Sequence, residues 1–449
     1  MRKMMIYGLL LMAAGGVQAQ EVLSLQQCRE LALENNKQVA AAAFQTRGAE
    51  YTVKSYWANF FPNITATGSA AYSDMDGTLG IGGGKLPIHL PIMPGLEINH
   101  VFDIPTLSMN YEVKSLYMAG VSVEQPLYMG GKIRSAYRIS KMGRKMAQLN
   151  ERLTESEVIV ETDEAYALLV KATEMQKVAQ SYNAVLQELM KNVESACKHG
   201  LKSNNDRLKV QVKLNESELK IKKAENAVRL ATMNLCHVIG KPLISQITVN
   251  DEFPAINHQL QLQVNDITVR PEYALIENKV GIAKQQVKLS RSELLPKVGV
   301  KGSYDYLNGL KLNGNKVFDG GGFAVMMSVS VPIFHFGERV NKMRAAKMDL
   351  EKARMEQSNL NEKMLLELTQ TANNLDEAKL EQQIAERSLD QAAENMKVSK
   401  GEYDAGLESL SDYLEAQTLW QQAYAAKVDA NFQLYLSYVK YLKASGTLN

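Results

Sequence analysis

The sequence predicts a mixed α and β protein in which a β-hairpin followed by a very long antiparallel helical hairpin occurs twice. Three observations predict it. First, no proline falls between Pro126 and Pro242, or anywhere after Pro332, and glycine is sparse in both windows. Proline breaks helix interiors, so these windows allow helices of unusual length. Second, the segments ahead of each window alternate apolar and polar residues, the pattern of a strand with one apolar face. Third, the halves are copies. Pro126 and Pro332, Gly131 and Gly337, Gly200 and Gly406, and Asp206 and Asp412 are each 206 residues apart. HGLKSNNDRLKVQ (199–211) aligns with AGLESLSDYLEAQ (405–417) at that offset without a gap.

The first element is an export signal. Arg2 and Lys3 precede the short apolar run from Ile6 to Ala14, and Val17-Gln18-Ala19 offers small residues for cleavage after residue 19. That run is too short to be retained as a membrane-spanning helix, and no later stretch approaches 18 uninterrupted apolar residues. Cys28 lies nine residues past the cut, out of place for lipid attachment.

The first repeat is assigned to 20–239, a linker to 240–270 and the second repeat to 271–446. Each opens with a helix (about 24–58, and 271–293) and continues as two strands, about 63–73 and 111–126 in the first copy and 297–307 and 322–332 in the second. FFPNITATGS (60–69) pairs with LLPKVGVKGS (294–303) at an offset of 234, so the first copy carries 28 extra residues. These fall in the Gly- and Pro-rich 74–110 region, expected to be a long loop between strands, with Gly80–Gly84 (GIGGG) as flexible loop rather than a phosphate-binding turn. Long helices then run at about 132–198 and 203–239, and at 338–403 and 409–445. Leu168, Ala172, Met175, Ala179, Tyr182, Leu186, Leu189 and Val193 step by 4,3,4,3, as do Val210, Leu214, Ser217, Ile221, Ala224, Val228, Ala231 and Leu235. Such a 3.5-residue period implies coiled-coil packing across a short turn.

In the strands, Ile64, Ala66, Gly68, Ala70 and Tyr72 oppose Thr65, Thr67 and Ser69; Phe323, Val325, Met327, Val329 and Val331 oppose Ala324, Ser328 and Ser330. About 9–11 residues of such alternation suffice to cross an outer membrane. The same pattern suits a small soluble sheet with one buried face. In the membrane reading four strands cannot close a barrel, for which about eight is the minimum, so the chain must assemble.

Composition excludes other classes. There are 51 Lys+Arg against 49 Asp+Glu, and without Arg2 and Lys3 the chain is neutral, which argues against a nucleic-acid surface. Three cysteines make no disulfide framework, and Cys197 and Cys236 stand at opposite ends of a helical hairpin. The six histidines show no metal-ligand spacing, and no triad or paired carboxylates support an enzyme, a metal site or a cofactor.

The chain resembles the TolC-like outer-membrane efflux proteins. The residues that carry the resemblance are Gly-Leu-x-Ser-x-x-Asp at 200–206 and 406–412, and Gln-Pro-Leu-Tyr-x-Gly-Gly at 125–131 with its copy at 331–337. It implies a homotrimer with a 12-stranded β-barrel in the outer membrane and a 12-helix periplasmic tunnel, and 240–270 as an equatorial belt. It implies an export duct of a tripartite efflux pump or a type I secretion system, with a periplasmic adaptor and an inner-membrane transporter as partners. By the same resemblance Tyr403 matches a gate tyrosine at the periplasmic tip, Asp206 the aspartate it hydrogen-bonds, Asp412 an entrance ring, and Glu415 a second acidic position. Glu408 departs from the family's archetype, which has an arginine there. Gly200, Leu201, Ser203, Gly406, Leu407 and Ser409 form the exposed tip motif for the adaptor. Helix capping by Asp206 and Asp412, and turn formation by the two glycines, are local roles the same residues suit. A rival of another class is a periplasmic coiled-coil adaptor, which has one helical hairpin where this chain has two.

Overall fold

The computed structural model describes residues 21–93, 96–250, 252–254, 256 and 266–448. The export signal, and 251, 255 and 257–265 of the linker, lie outside the described residues. The chain forms two compact units, one of Met1–Ala49, Gly143–Val280 and Ala353–Asn449, the other of Glu50–Met142 and Gly281–Lys352. In chain order the strands are β1 (Glu21–Leu23), β2 (Asn63–Ile81), β3 (Gly84–Met93), β4 (Leu96–Ile104), β5 (Leu107–Met129), β6 (Ile247–Val249), β7 (Lys297–Leu312) and β8 (Asn315–Ser330). The α-helices are α1 (Leu25–Asn35), α2 (Lys37–Ala58), α3 (Lys132–Lys198), α4 (Asn204–Val238), α5 (Pro271–Ser292), α6 (Glu338–Asp404) and α7 (Leu410–Ser445). No helix among the described residues is long and apolar enough to cross a membrane.

In the second unit β2, β5, β7 and β8 make one antiparallel sheet in that order. Residues directly opposite across a ladder share a face. The register therefore lines up Ala66, Val121, Tyr304 and Phe323 in one row, and Ile64, Val123, Gly302 and Val325 in the next. On the other face stand Thr65, Ser122, Ser303 and Ala324, then Thr67, Gly120, Asp305 and Gly322. The alternation read within each strand thus adds up to one apolar and one polar face. The apolar face is open: Ile64 is 69% exposed, Phe323 74%, Val325 62% and Val329 61%.

The 74–110 region corrects the expected loop. β2 runs on to Ile81 and β5 starts at Leu107, with Leu79 opposite Met109. A bulge between Tyr72 and Met75 inserts one residue, so Met75, Gly77, Leu79 and Ile81 continue the face of Tyr72. Beyond them β3 and β4 form a separate antiparallel hairpin, with Leu86 opposite Phe102. Of GIGGG, Gly80 and Ile81 lie in β2 and Gly84 in β3; only Gly82 and Gly83 link strands, with φ of 74° and 114° that glycine adopts freely. The prolines at 87 and 91 did not prevent a strand because each β3 residue pairs on one side only.

In the first unit α3 and α4 bury the heptad stripe: Tyr182, Leu186, Leu189 and Val193 pack with Val210 and Leu214. A second core joins Cys28 and Ala32 of α1 to Val158, Tyr166 and Val170 of α3 and to Leu235 and Val238 of α4. β1 pairs in parallel with β6, Val22 opposite Thr248, a pairing the sequence did not announce. The expected helix 24–58 is two helices. Asn36 is extended (ψ 130°), its amide donates to the Val238 carbonyl at 2.9 Å, and its side-chain oxygen accepts from the Gln38 N–H at 2.7 Å. A tertiary anchor and a local cap of α2 thus interrupt the segment at Asn36, in an Asn-Asn pair of low helix propensity. None of the three cysteines is in a disulfide.

Candidate functional site at the hairpin tips

The repeated tip motif is turn chemistry written out twice. α3 ends when Gly200 takes φ +72°, and α6 ends when Gly406 takes φ +75°. In each, the next leucine closes the turn through its N–H: Leu201 to the Ala196 carbonyl at 2.9 Å, Leu407 to the Glu402 carbonyl at 2.8 Å. This is the glycine-terminated helix end, where a Cβ would be strained. The leucine side chains are left in solvent, 77% and 81% exposed. Ser203 and Ser409 then cap α4 and α7, each hydroxyl accepting from the N–H of the aspartate three residues on.

Asp206 completes a capping box. Its carboxylate accepts from the Ser203 hydroxyl at 2.8 Å and from the Ser203 N–H at 3.2 Å. The Ser203 hydroxyl bond, with help from the Ser203 N–H and the charges of Lys209 and Lys202, holds the Asp206 carboxyl below its usual range against a small burial effect. Asp412 accepts from the Ser409 hydroxyl at 2.7 Å. The expected hydrogen bond between Tyr403 and Asp206 is not formed among the described residues; both capping-box bonds of Asp206 go to one of its carboxylate oxygens. Tyr403 instead stacks on Tyr413, ring centroids 5.3 Å apart and planes 18° from parallel. Burial, followed by the charge of Asp206, raises the Tyr403 phenol above its ordinary pKa, so the ring stays neutral.

Glu408 is half-buried and accepts a short hydrogen bond from the Ser399 hydroxyl of α6, so it ties the turn to its own hairpin. Glu415 is exposed and lines a groove of about 580 Å³ with Leu208, Lys209, Val212, Ser411 and Leu414. In that groove the Lys209 ammonium donates to the Ser411 hydroxyl at 3.0 Å, bridging α4 and α7. Tyr182, Val210, Leu410, Tyr413 and Leu414 form one core beneath, with Tyr403 packed on it, so both tips close over shared apolar side chains.

Sequence reasoning missed Lys202 and Tyr413. Lys202 places its ammonium 4.6 Å from the centre of the Tyr403 ring. The one signal that could have found Tyr413 is its place next to the repeated aspartate, where the first copy has Arg207.

Among the described residues no group of three or more His, Cys, Asp or Glu side chains is placed to hold a metal ion. The chain is similar in fold to the outer membrane channel CmeC of Campylobacter jejuni (19% identity, 95% of this chain and 86% of that one, TM-score 0.77). It is likewise similar to the outer membrane protein VceC of Vibrio cholerae (14% identity, 94% and 96% covered, TM-score 0.75). In sequence it matches the alkaline protease secretion protein AprF of Pseudomonas aeruginosa, 20% identical over 308 residues that cover 67% of this chain and 63% of the relative's length. The family model described as outer membrane efflux protein matches residues 28–241 and 271–447, the greater part of both repeats. The chain therefore belongs to the outer membrane efflux protein family, the TolC-like channels of the outer membrane that extend into the periplasm, and shares their location.

Proposed function

We propose that three copies of this chain assemble into an export duct, with a 12-stranded barrel and a 12-helix tunnel, that passes small molecules from the periplasm to the exterior. The observation that carries the reading is the open sheet. β2 and β8 each have a partner on one side only, across 19 and 16 residues. Long unpaired edges are a standing liability, and closure into a barrel removes them. Successive strands are antiparallel in the order β2-β5-β7-β8, so β2 and β8 point in opposite directions. Pairing β8 of one copy with β2 of the next continues the alternation, and rotation closes the ring. The apolar face would then meet lipid and the Ser- and Thr-rich face the lumen, as in other membrane barrels. Three copies rather than two follow the family.

A second feature supports assembly. α6 spans 67 residues but leaves Met348, Met355, Leu366 and Leu380 55–67% exposed. A helix so long and so thinly covered gains its packing from neighbouring copies. We further propose that a periplasmic adaptor docks on the tips through Leu201 and Leu407, with Gly200, Ser203, Gly406 and Ser409 shaping the turns, and that an inner-membrane transporter supplies the energy. Asp412, with Glu415 and Asp206, would line the periplasmic entrance closed by Tyr403. The match to a protease secretion protein favours a second reading, in which the duct serves a type I secretion system and passes protein.

The test is the native mass of the protein extracted in mild detergent, with bound detergent subtracted. A mass near three chains is expected. A stable monomer that needs no detergent would mean a soluble sheet, and the duct would be abandoned.

A further inference from the structure

We propose that Lys202 is the cation that fastens the two hairpin tips of each chain, acting as a pin between the turn of the first hairpin and the Tyr403–Tyr413 stack of the second. The inference rests on the duct reading and adds a gate residue to it.

The geometry is specific. Lys202 lies in the turn between α3 and α4, two residues past Gly200. Its ammonium sits 4.6 Å from the Tyr403 centroid, within the range where a cation is drawn to the negative face of an aromatic ring. Tyr403 closes α6, and Tyr413 belongs to the first turn of α7. Tyr413 is 4% exposed and set in the shared core, so the stack is a fixed platform rather than a loose side chain. Lys202 is itself half-buried. The pin thus joins a turn of one hairpin to both helices of the other.

The neighbouring charges leave Lys202 this role. Glu408 is bonded to Ser399 within its own hairpin. Arg207 donates to Asn204 at 3.0 Å, inside its own turn. Lys209 reaches a neutral hydroxyl, Ser411. Lys400 pairs with Glu188 across the hairpins at 3.5 Å, but both side chains are at least half exposed, where such pairs contribute little. Among the described residues Lys202 is the cation that reaches the aromatic pair directly, while its charge also acts on Asp206, which is hydrogen-bonded to Ser203. A bundle end made of two hairpins per chain widens when the tips of one chain part or when tips of neighbouring copies part, and the first of these is the motion Lys202 opposes. Parting them here draws Lys202 off the ring, and three copies carry three such pins.

The experiment uses the full-length protein, purified from membranes, in planar lipid bilayers. Lys202→Met keeps the stem and removes the charge; Lys202→Arg keeps a cation that stacks at least as well on aromatic faces. The expected result is a time-averaged conductance about fivefold higher for Lys202→Met, the factor set by one interaction of this class. Lys202→Arg should stay at the wild-type level. In a Tyr403→Leu background, Lys202→Met should add nothing further. Native mass and melting temperature are measured for each variant, and an unchanged value in both shows that the fold is not what changed. Equal conductance of wild type and Lys202→Met, with Tyr403→Leu more open, would overturn the pin while leaving the duct standing. Independent, additive opening by the two substitutions would overturn it as well. If neither wild type nor any variant conducts, the duct reading itself falls, and the pin with it.

Discussion

At the residue scale, Arg29 and Asp163 form an ion pair with a fully buried carboxylate. The guanidinium donates two bonds to the carboxylate, at 2.7 and 2.6 Å, and the Asp163 side chain is 0% exposed. A bidentate pair of this kind joins α1 to α3 with fixed geometry. Removing one partner strands the other in a dry core, a loss of about 3–5 kcal/mol, whereas removing both costs far less. Arg29→Met should therefore lower the melting temperature more than Arg29→Met with Asp163→Leu; an equal or larger loss in the double variant would refute the argument. Burial raises the Asp163 carboxyl above its usual range against the Arg29 bond, so stability lost to acid comes from other carboxylates, those held low by folding. The Ser203 hydroxyl holds Asp206 below its ordinary range; burial pushes Glu272 up, but the Arg270 guanidinium at 2.9 Å wins and holds it low as well. A carboxyl depressed on folding contributes stability that is present above its unfolded pKa and lost as pH falls through the folded one. Stability should thus be flat in these groups near neutrality and decline below about pH 4. Replacing Asp206 with Asn should flatten part of that decline in a melting series against pH. Asp412 is exposed, and in the proposed trimer one such carboxylate per chain would become a ring that favours cations. Asp412→Ala should move the reversal potential in a salt gradient toward zero; an unmoved potential would take Asp412 out of the ring.

At the element scale, β3 and β4 are the part of the chain that most needs a setting. A two-stranded hairpin is marginal in water by itself. Leu86 and Phe102 share one face and are 54% and 56% exposed. β5 connects to β4 at its Leu107 end and to α3 at its Met129 end, so the hairpin and the long helices leave the sheet from opposite strand ends. In the proposed duct, with the helices in the periplasm, the hairpin would stand on the cell exterior. In a Cys197→Ser background, Phe102→Cys should react with a membrane-impermeant maleimide on intact cells, and Leu201→Cys at the tip should react only after the outer membrane is broken. Labelling of Leu201→Cys but not Phe102→Cys on intact cells would invert the topology. The helices show how far element reading reaches. The proline-free window after Pro332 gives a second long helix at about 338–403; in the structure α6 runs over Glu338–Asp404. The 24–58 segment fails the same reading because Asn36 both caps α2 through the Gln38 N–H, a local signal, and is held by a carbonyl 202 residues away, which no local pattern encodes.

At the scale of the whole molecule, the edges of the sheet set the argument. The strands were legible from their alternation, and the tip motif from its repetition. Their order β2-β5-β7-β8, and the overshoot of β2 and β5 past the turn that joins β7 to β8, were not. A single chain that hides neither its apolar sheet face nor its sheet edges is incomplete by itself, which is why the native mass in detergent is the decisive measurement on this scale.

The sequence by itself determined what depends on neighbours along the chain: the duplication, the long helices, the alternating strands, and the glycine, serine and aspartate of each turn. These are local because helix breaking, period and capping act within a few residues. Tertiary structure alone decided the anchoring of Asn36 on the Val238 carbonyl, the parallel pairing of β1 with β6, the extra hairpin, and the meeting of Lys202 with Tyr403. It also set the Tyr403 ring on Tyr413 while Asp206 closes the capping box with Ser203. Contacts between residues about 200 positions apart follow from how two copies of one hairpin pack, and that geometry is not written in either copy separately.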